Sequence, residues 1–200
     1  MLHMIKMLII AAAGLWLGLD ATYYAVERGH EADAASGPLF GAVKAGPWTG
    51  WPKSGTREAD PYARALFARN GETPLGITEG LSFIARVDSA QTPLTPVCDY
   101  LVSGAIPAAR FWTLTATTPE GLVLQTASDR YGFTSSELLR RTDGGFEIRV
   151  SSLARPGNWL QVAGDQRFLL MLRLYDTALS ANAYSVVAAT MPSITKEKCR

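Results

Sequence analysis

The stretch Arg167–Tyr175 (Arg-Phe-Leu-Leu-Met-Leu-Arg-Leu-Tyr) is a near-continuous apolar run of strand length, entered from the turn residues Ala163-Gly164-Asp165. A strand with one wet face alternates apolar and polar residues. An unbroken run reads as a strand covered on both faces, with a buried helical segment as the rival that periodicity alone leaves open. As a strand, Phe168, Leu170, Leu172 and Leu174 share one face, and Leu169, Met171, Arg173 and Tyr175 share the other. Arg173 then sits among apolar neighbours and needs a counter-charge or a route to water. Asp129 and Glu147 are the acids expected to supply the charge, and the rest of the chain has to supply an opposing sheet.

Other segments fit that requirement. Gly80–Val87 alternates imperfectly and reads as the first strand, and Cys98–Val102 is another. In Arg110–Thr117 the alternation is clear: Trp112, Leu114 and Ala116 point one way, Phe111, Thr113 and Thr115 the other. Pro119-Glu120-Gly121 is a turn, after which Leu122–Gln125 is expected to return as a strand. Thr142-Asp143-Gly144-Gly145 is a second turn, placing Phe146, Ile148 and Val150 on the inward face of the strand that follows. Gly157-Asn158-Trp159 reads as a loop before the long buried strand. Upstream, Asp60 is placed as an N-cap and Pro61 at the first position of a helix that ends at Gly71, with Tyr62, Ala65, Leu66 and Arg69 on one face. The prediction is a mainly β protein, a jelly-roll-like antiparallel β-sandwich with one or two short helices. No repeat is visible.

The N-terminus is different in kind. After Lys6, the residues from Met7 to Val26 are apolar apart from Asp20, with Tyr23 and Tyr24 near the far end. That is enough for a single transmembrane helix, with its tyrosines at interface level and a weak bias towards an inside N-terminus. The rival is a cleaved signal peptide, although Leu19-Asp20-Ala21 makes a poor small-x-small cleavage site. Either reading exports the body, where the two cysteines, Cys98 and Cys199, are expected to pair. The organisation expected is a cytoplasmic 1–6, an anchor over 7–26, a juxtamembrane linker over 27–55 that includes Ser36-Gly37-Pro38, and an exported domain over 56–200. Trp48 and Trp51, in Gly46-Pro47-Trp48-Thr49-Gly50-Trp51-Pro52, either clip the linker onto the domain or form a ligand platform.

Composition excludes several functions. Lys and Arg number 19 against 18 Asp and Glu, with no basic stripe, which gives nucleic-acid binding no support. The only histidines, His3 and His30, lie outside the domain. That argues against Ser-His-Asp or Cys-His nucleophilic sites, an imidazole base or a His-rich metal centre, and no metal or cofactor is expected.

The residues also resemble a known family. In order they are Cys98-Asp99-Tyr100, Ala109-Arg110-Phe111-Trp112-Thr113-Leu114-Thr115, Pro119-Glu120-Gly121-Leu122, Asp129-Arg130-Tyr131, Pro156-Gly157-Asn158-Trp159-Leu160 and Phe168 to Tyr175. This set is similar to the bacterial domain-of-unknown-function family 1214, over roughly Cys98–Tyr175. Gly46-Pro47-Trp48 and Ala59-Asp60-Pro61-Tyr62-Ala63-Arg64 resemble its short membrane-anchored members. The resemblance implies a jelly-roll-like sandwich at the bacterial inner membrane, with the domain periplasmic. It also implies a partner polypeptide of the related unknown-function family 1254, and it brings no reaction and no catalytic residues.

Within the matched segments the polar and aromatic candidates are Arg110, Trp112, Asp129, Arg130, Tyr131, Asn158, Trp159, Arg173 and Tyr175. They read either as architecture or as a cleft with an aromatic floor (Trp112, Tyr131, Trp159) for a glycan or other small polar ligand. Carboxylate chemistry of the glycosidase type is a third reading, drawing on Asp99, Glu120, Asp129, Asp143, Glu147 and Asp165. It calls for two carboxyls facing each other, one with a raised pKa. An anchored interaction module without catalysis ranks first.

Overall fold

The structure is a computed structural model that describes residues 2–30, 41–76, 78–181 and 190–200. An N-terminal helix α1 (Leu2–His30) precedes two short strands, β1 (Val43–Ala45) and β2 (Trp48–Gly50), and a helix α2 (Pro61–Asn70). The strands β3 (Gly80–Ala85), β4 (Cys98–Gly104), β5 (Ala109–Thr117), β6 (Gly132–Thr134), β7 (Phe146–Ser151), β8 (Asn158–Gln161), β9 (Leu169–Thr177) and β10 (Ser193–Cys199) follow. A 3₁₀ turn, Ala178–Ala181, comes after β9. Two sheets result, one in the order β1-β2-β3-β9-β5-β6 and the other β10-β4-β7-β8.

The apolar run becomes β9, at the centre of the larger sheet, with Leu172 opposite Phe83 of β3 and Leu114 of β5. Phe168, Leu170, Leu172 and Leu174 are fully buried, in one cluster with Phe83, Trp112 and Leu114 of the same sheet and Tyr100, Val102, Ile148, Val150 and Leu160 of the other. The protein is therefore mainly β, two sheets packed across this core, as predicted. On its reverse face β9 buries Leu169 and Met171 in a separate cluster with Trp51, Ala63, Phe67 and Ile84. The continuous run is explained by this second layer, because α2 and Trp51 cover the face that would otherwise be wet.

Helix α2 begins and ends as its sequence dictates. Asp60 accepts from the backbone N–H of Tyr62 (2.8 Å) and of Ala63 (3.3 Å), Pro61 occupies the first turn, and Gly71 closes the helix in the left-handed conformation at φ 65°. The face of α2 that docks on the domain carries Ala63 and Phe67. Ala63 and Phe67 are buried, Phe67 edge-on to Trp51 at 5.7 Å, whereas Tyr62, Ala65 and Arg69 are exposed. The docking partner, Trp51, selects this face of a weakly amphipathic helix.

The residues read as linker contain structure. Gly46 and Pro47 turn the β1–β2 hairpin, which adds to the sheet through Trp48 opposite Ala85. Trp48 is fully buried and donates its indole N–H to the Pro192 carbonyl at 2.7 Å. Both tryptophans thus clip this segment to the domain; Ser36-Gly37-Pro38 lies outside the described residues. Two further expectations change. Leu122–Gln125 forms no strand: only Val123 bridges Thr117, and Leu122 is exposed. Gly157-Asn158-Trp159 leads directly into β8, which runs parallel to β7, the one parallel pair among the described strands.

Candidate functional site

The Pro156-Gly157-Asn158-Trp159 motif performs a structural task. Parallel neighbours normally need a crossover of about a dozen residues or more, yet here only 152–157 intervene between β7 and β8. Gly157, at φ 83°, supplies the left-handed turn. The Asn158 side chain is buried and saturated: its amide donates to the Leu139 and Glu147 carbonyls, and its Oδ1 accepts from the Leu139 N–H, each at 2.8 Å. Trp159 donates from Nε1 to the Ser151 carbonyl at 3.0 Å, tying the start of β8 to the end of β7.

The remaining candidates are spread over the molecule. Trp112 points into the sandwich against Phe146, with ring centroids 5.2 Å apart. Asp129, Arg130 and Tyr131 lie on an exposed turn, where Asp129 sits at φ 50° and accepts from the Tyr131 hydroxyl at 3.4 Å. Arg130 stacks over Phe133, its guanidinium 4.7 Å from the ring centre. Arg110 is exposed, 3.9 Å from Asp176. Tyr175 packs on Phe111 on the outer face of the six-stranded sheet. Leu160 points into the core, so its neighbour Trp159 faces outward from the other sheet. Trp112 is buried inside the sandwich, whereas Tyr131 sits on its exposed turn and Trp159 is half-buried on the outer face of the four-stranded sheet, which that turn meets where the Ser128 N–H donates to Gln161 at 2.9 Å. Asp129 and Glu147 do not neutralise Arg173: Glu147 pairs with Arg141 at 2.7 Å, and Arg173 lies on the outer face of the opposite sheet.

The densest charge cluster was not anticipated. Cys98 and Cys199, opposite each other on β4 and β10, form a disulfide spanning 101 positions of sequence. Beside it the buried Asp99 carboxylate accepts from the Ser151 hydroxyl at 2.7 Å, from Arg155, and from Arg200 at 3.3 Å. Burial alone pushes the Asp99 carboxyl up; the Ser151 hydroxyl and the Arg155 guanidinium, joined by Arg200, outweigh it and hold the group below the usual carboxylate range. The signal was present in the sequence, since Cys98-Asp99 and Cys199-Arg200 become neighbours once the cysteines pair. Glu58, hydrogen-bonded to Lys53, is likewise lowered. No grouping of His, Cys, Asp and Glu among the described residues is suited to a metal.

Two hollows stand out. One, of about 700 Å³, opens at an end of the sandwich between loop 105–108 and turn 140–145, with Trp112 and Phe146 on its wall. Its charges are engaged: Arg140 donates to the Gly144 and Ser135 carbonyls, and Arg141 pairs with Glu147 and Asp143. The other, of about 320 Å³, lies against the outer face of the six-stranded sheet and includes Trp51, Phe67, Met171 and Arg173.

Fold and sites together define a class: a two-sheet β-sandwich closed by a terminal disulfide, preceded by one apolar helix and lacking a recognisable catalytic constellation among the described residues. The family model described as "Protein of unknown function (DUF1214)" matches residues 79–179, and the chain belongs to that family. The match begins upstream of Cys98 and takes in β3. Among curated proteins none matches. Among solved structures the chain is similar to the VPA0106 protein from Vibrio parahaemolyticus, at 21% identity and a TM-score of 0.57, covering 70% of this chain and 36% of that one. A putative uncharacterized protein from Burkholderia cenocepacia aligns at 22% identity with a TM-score of 0.42, over 60% of this chain and 30% of that one. The chain thus spans about a third of the length of these solved relatives, and the first of them shows the shared fold.

Proposed function

We propose that the protein is an inner-membrane-anchored envelope module whose exported sandwich docks a partner polypeptide rather than catalysing a reaction. The observation that carries this reading is the apolar segment His3–Tyr24, with mean hydropathy 1.7 and no part buried against the domain, joined to a sandwich closed by a disulfide. An exposed apolar helix of that length is satisfied by a bilayer, and a disulfide persists in an oxidising compartment. The domain is therefore assigned to the periplasmic side, with Met1–Lys6 cytoplasmic.

Docking is supported by size. The shared fold fills only 36% of the Vibrio parahaemolyticus protein, so there it is accompanied by more polypeptide. For this domain a member of family 1254 is the proposed partner. The glycan-platform reading has less geometric support, because Trp112, one of its three aromatic residues, is buried in the sandwich core.

Two measurements test the reading. Alkaline phosphatase fused after Arg200 is expected to be active, and a fluorescent protein that folds only in the cytosol is expected to stay dark there; the reverse pattern removes the export assignment. Crosslinking in intact cells, followed by purification from solubilised membranes, is expected to recover a family 1254 polypeptide. Recovery of this chain alone, with the fusion result intact, removes the partner while leaving the anchor.

A further inference from the structure

The contact between α1 and α2 sets the height of the domain above a bilayer. The apolar segment ends at Tyr24, yet α1 continues as helix to His30, about 9 Å farther along its axis at 1.5 Å per residue. A domain hung from the end of α1 would be held off the lipid by that length. Instead α2 reaches back along α1, and the Arg69 guanidinium stacks over the Tyr23 ring, 5.9 Å from its centre. Tyr23 and Tyr24 stay 62% and 56% exposed, so the contact leaves both rings open to whatever surrounds the end of the span. Tyrosines at that level belong to the membrane–water interface, and Arg69 lies there with them.

The composition of α2 fits the same level. Ala63 and Phe67 face the sheet, while Tyr62, Arg64, Ala65, Ala68 and Arg69 are exposed. The helix, Pro-Tyr-Ala-Arg-Ala-Leu-Phe-Ala-Arg-Asn, contains no carboxylate. The water-facing side of a surface helix is ordinarily rich in charge. Here it holds tyrosine, alanine and arginine without an acid, which suits a headgroup layer, where arginine stems lie along apolar surface and their heads reach phosphate. Stacking on Tyr23 engages the face of the Arg69 guanidinium, whereas its N–H donors lie in the plane and match a phosphate as a fork. We propose that the C-terminal half of α2 is seated in the headgroup layer around the end of the span, with Arg69 donating to a phospholipid phosphate beside Tyr23. The sandwich is then held against the membrane through α2 as well as through the span. This contact rests on the anchor reading above and adds a second attachment to it.

The test uses the full chain in nanodiscs of phosphatidylethanolamine and phosphatidylglycerol, with one nitroxide on an added cysteine. Cys98 and Cys199 are bonded to each other, so the added thiol is the one that reacts. The labelled variants are Leu15→Cys in the span, Ala65→Cys and Ala68→Cys on α2, and Thr195→Cys on the outer face of the opposite sheet. Collisions with an aqueous nickel complex and with lipid-dissolved oxygen report the depth of each label. Leu15→Cys is expected in hydrocarbon and Thr195→Cys in water. Ala68→Cys is expected at headgroup depth, with nickel collisions about threefold fewer than at Thr195→Cys, and Ala65→Cys serves as the second position if Ala68→Cys does not fold. Adding Arg69→Glu should return the Ala68→Cys label to the water value and leave the Leu15→Cys label unchanged. A water-exposed Leu15→Cys label removes the anchor and this contact with it. A Leu15→Cys label in hydrocarbon, with both α2 labels as wet as Thr195→Cys, overturns the headgroup contact and leaves the anchor standing. An Ala68→Cys label that keeps headgroup depth in Arg69→Glu overturns the phosphate contact.

Discussion

Asp99 shows how a single carboxylate can hold a chain terminus. It is buried, so its charge is tolerable only because Ser151, Arg155 and Arg200 surround it. Removing the charge while keeping the shape leaves two guanidinium groups without their anion. Asp99→Asn is therefore expected to cost about 2–4 kcal/mol in chemical denaturation at neutral pH, near the range for breaking a buried pair. The pH dependence has a fixed sign. The folded-state pKa of Asp99 is depressed, so its contribution is fully present above the unfolded value, about 3.9, and is lost as pH falls through the lower folded value. Wild type should lose stability below about pH 4, and Asp99→Asn should show a flatter profile there. Equal acid slopes for the two proteins would remove Asp99 from the account. Asn158 is the neutral counterpart: its side chain makes three buried hydrogen bonds, and Asn158→Ala strands a carbonyl and an N–H of Leu139. A loss of about 2–3 kcal/mol is expected, with amide exchange accelerated first in β8.

At the scale of elements, β10 is an edge strand joined to the sheet through β4 alone, and within it only Ile194 is buried. Its own packing is thin, so the disulfide and the Asp99–Arg200 contact carry much of its attachment. The Cys98→Ser/Cys199→Ser double variant frees a loop whose closure is worth up to about 4.7 kcal/mol in the chain-entropy model. The expected outcome is a lowered unfolding midpoint and fast hydrogen exchange over Ser193–Cys199, while β9, sealed on both faces, stays protected. The contrast between these strands also explains what could be read from the residues. The unbroken apolar run identified β9 because burial on two faces writes itself directly into composition. Alternation exposed the inward faces of β5 and β7 for the same reason. Leu122–Gln125 had strand composition, but one bridge from Val123 to Thr117 is all its neighbours allow. Strand β8 reads as a loop from its residues alone, because Pro156, Gly157 and Asn158 are turn residues locally. What makes Asn158 start a strand is its bonding to Leu139 and Glu147, which is tertiary. The hollow beside Arg173 was half legible: Arg173 was visible as a charge among apolar residues, but the pairing of its face with Trp51 and Phe67 depends on where α2 docks.

At the scale of the whole molecule, the apolar segment His3–Tyr24 and the disulfide point to the same compartment from opposite ends of the chain. A cleaved leader and a retained anchor both deliver the sandwich to oxidising conditions, and they differ in what remains attached. A retained helix of this hydropathy holds the domain at the bilayer, which would raise the effective concentration for the proposed docking contact with a membrane-bound partner. A cleaved leader releases a diffusible domain for which docking has to be tight by itself. Intact mass of the protein extracted from membranes separates the two: the anchor reading expects about 21.6 kDa, the full chain with Met1–His30 retained. It also expects the protein to stay in the pellet after alkaline carbonate washing, and to become soluble when residues 1–30 are replaced by a cleavable signal peptide. A mature species beginning at or after Asp20 would make the partner surface, rather than the membrane, the element that localises the sandwich.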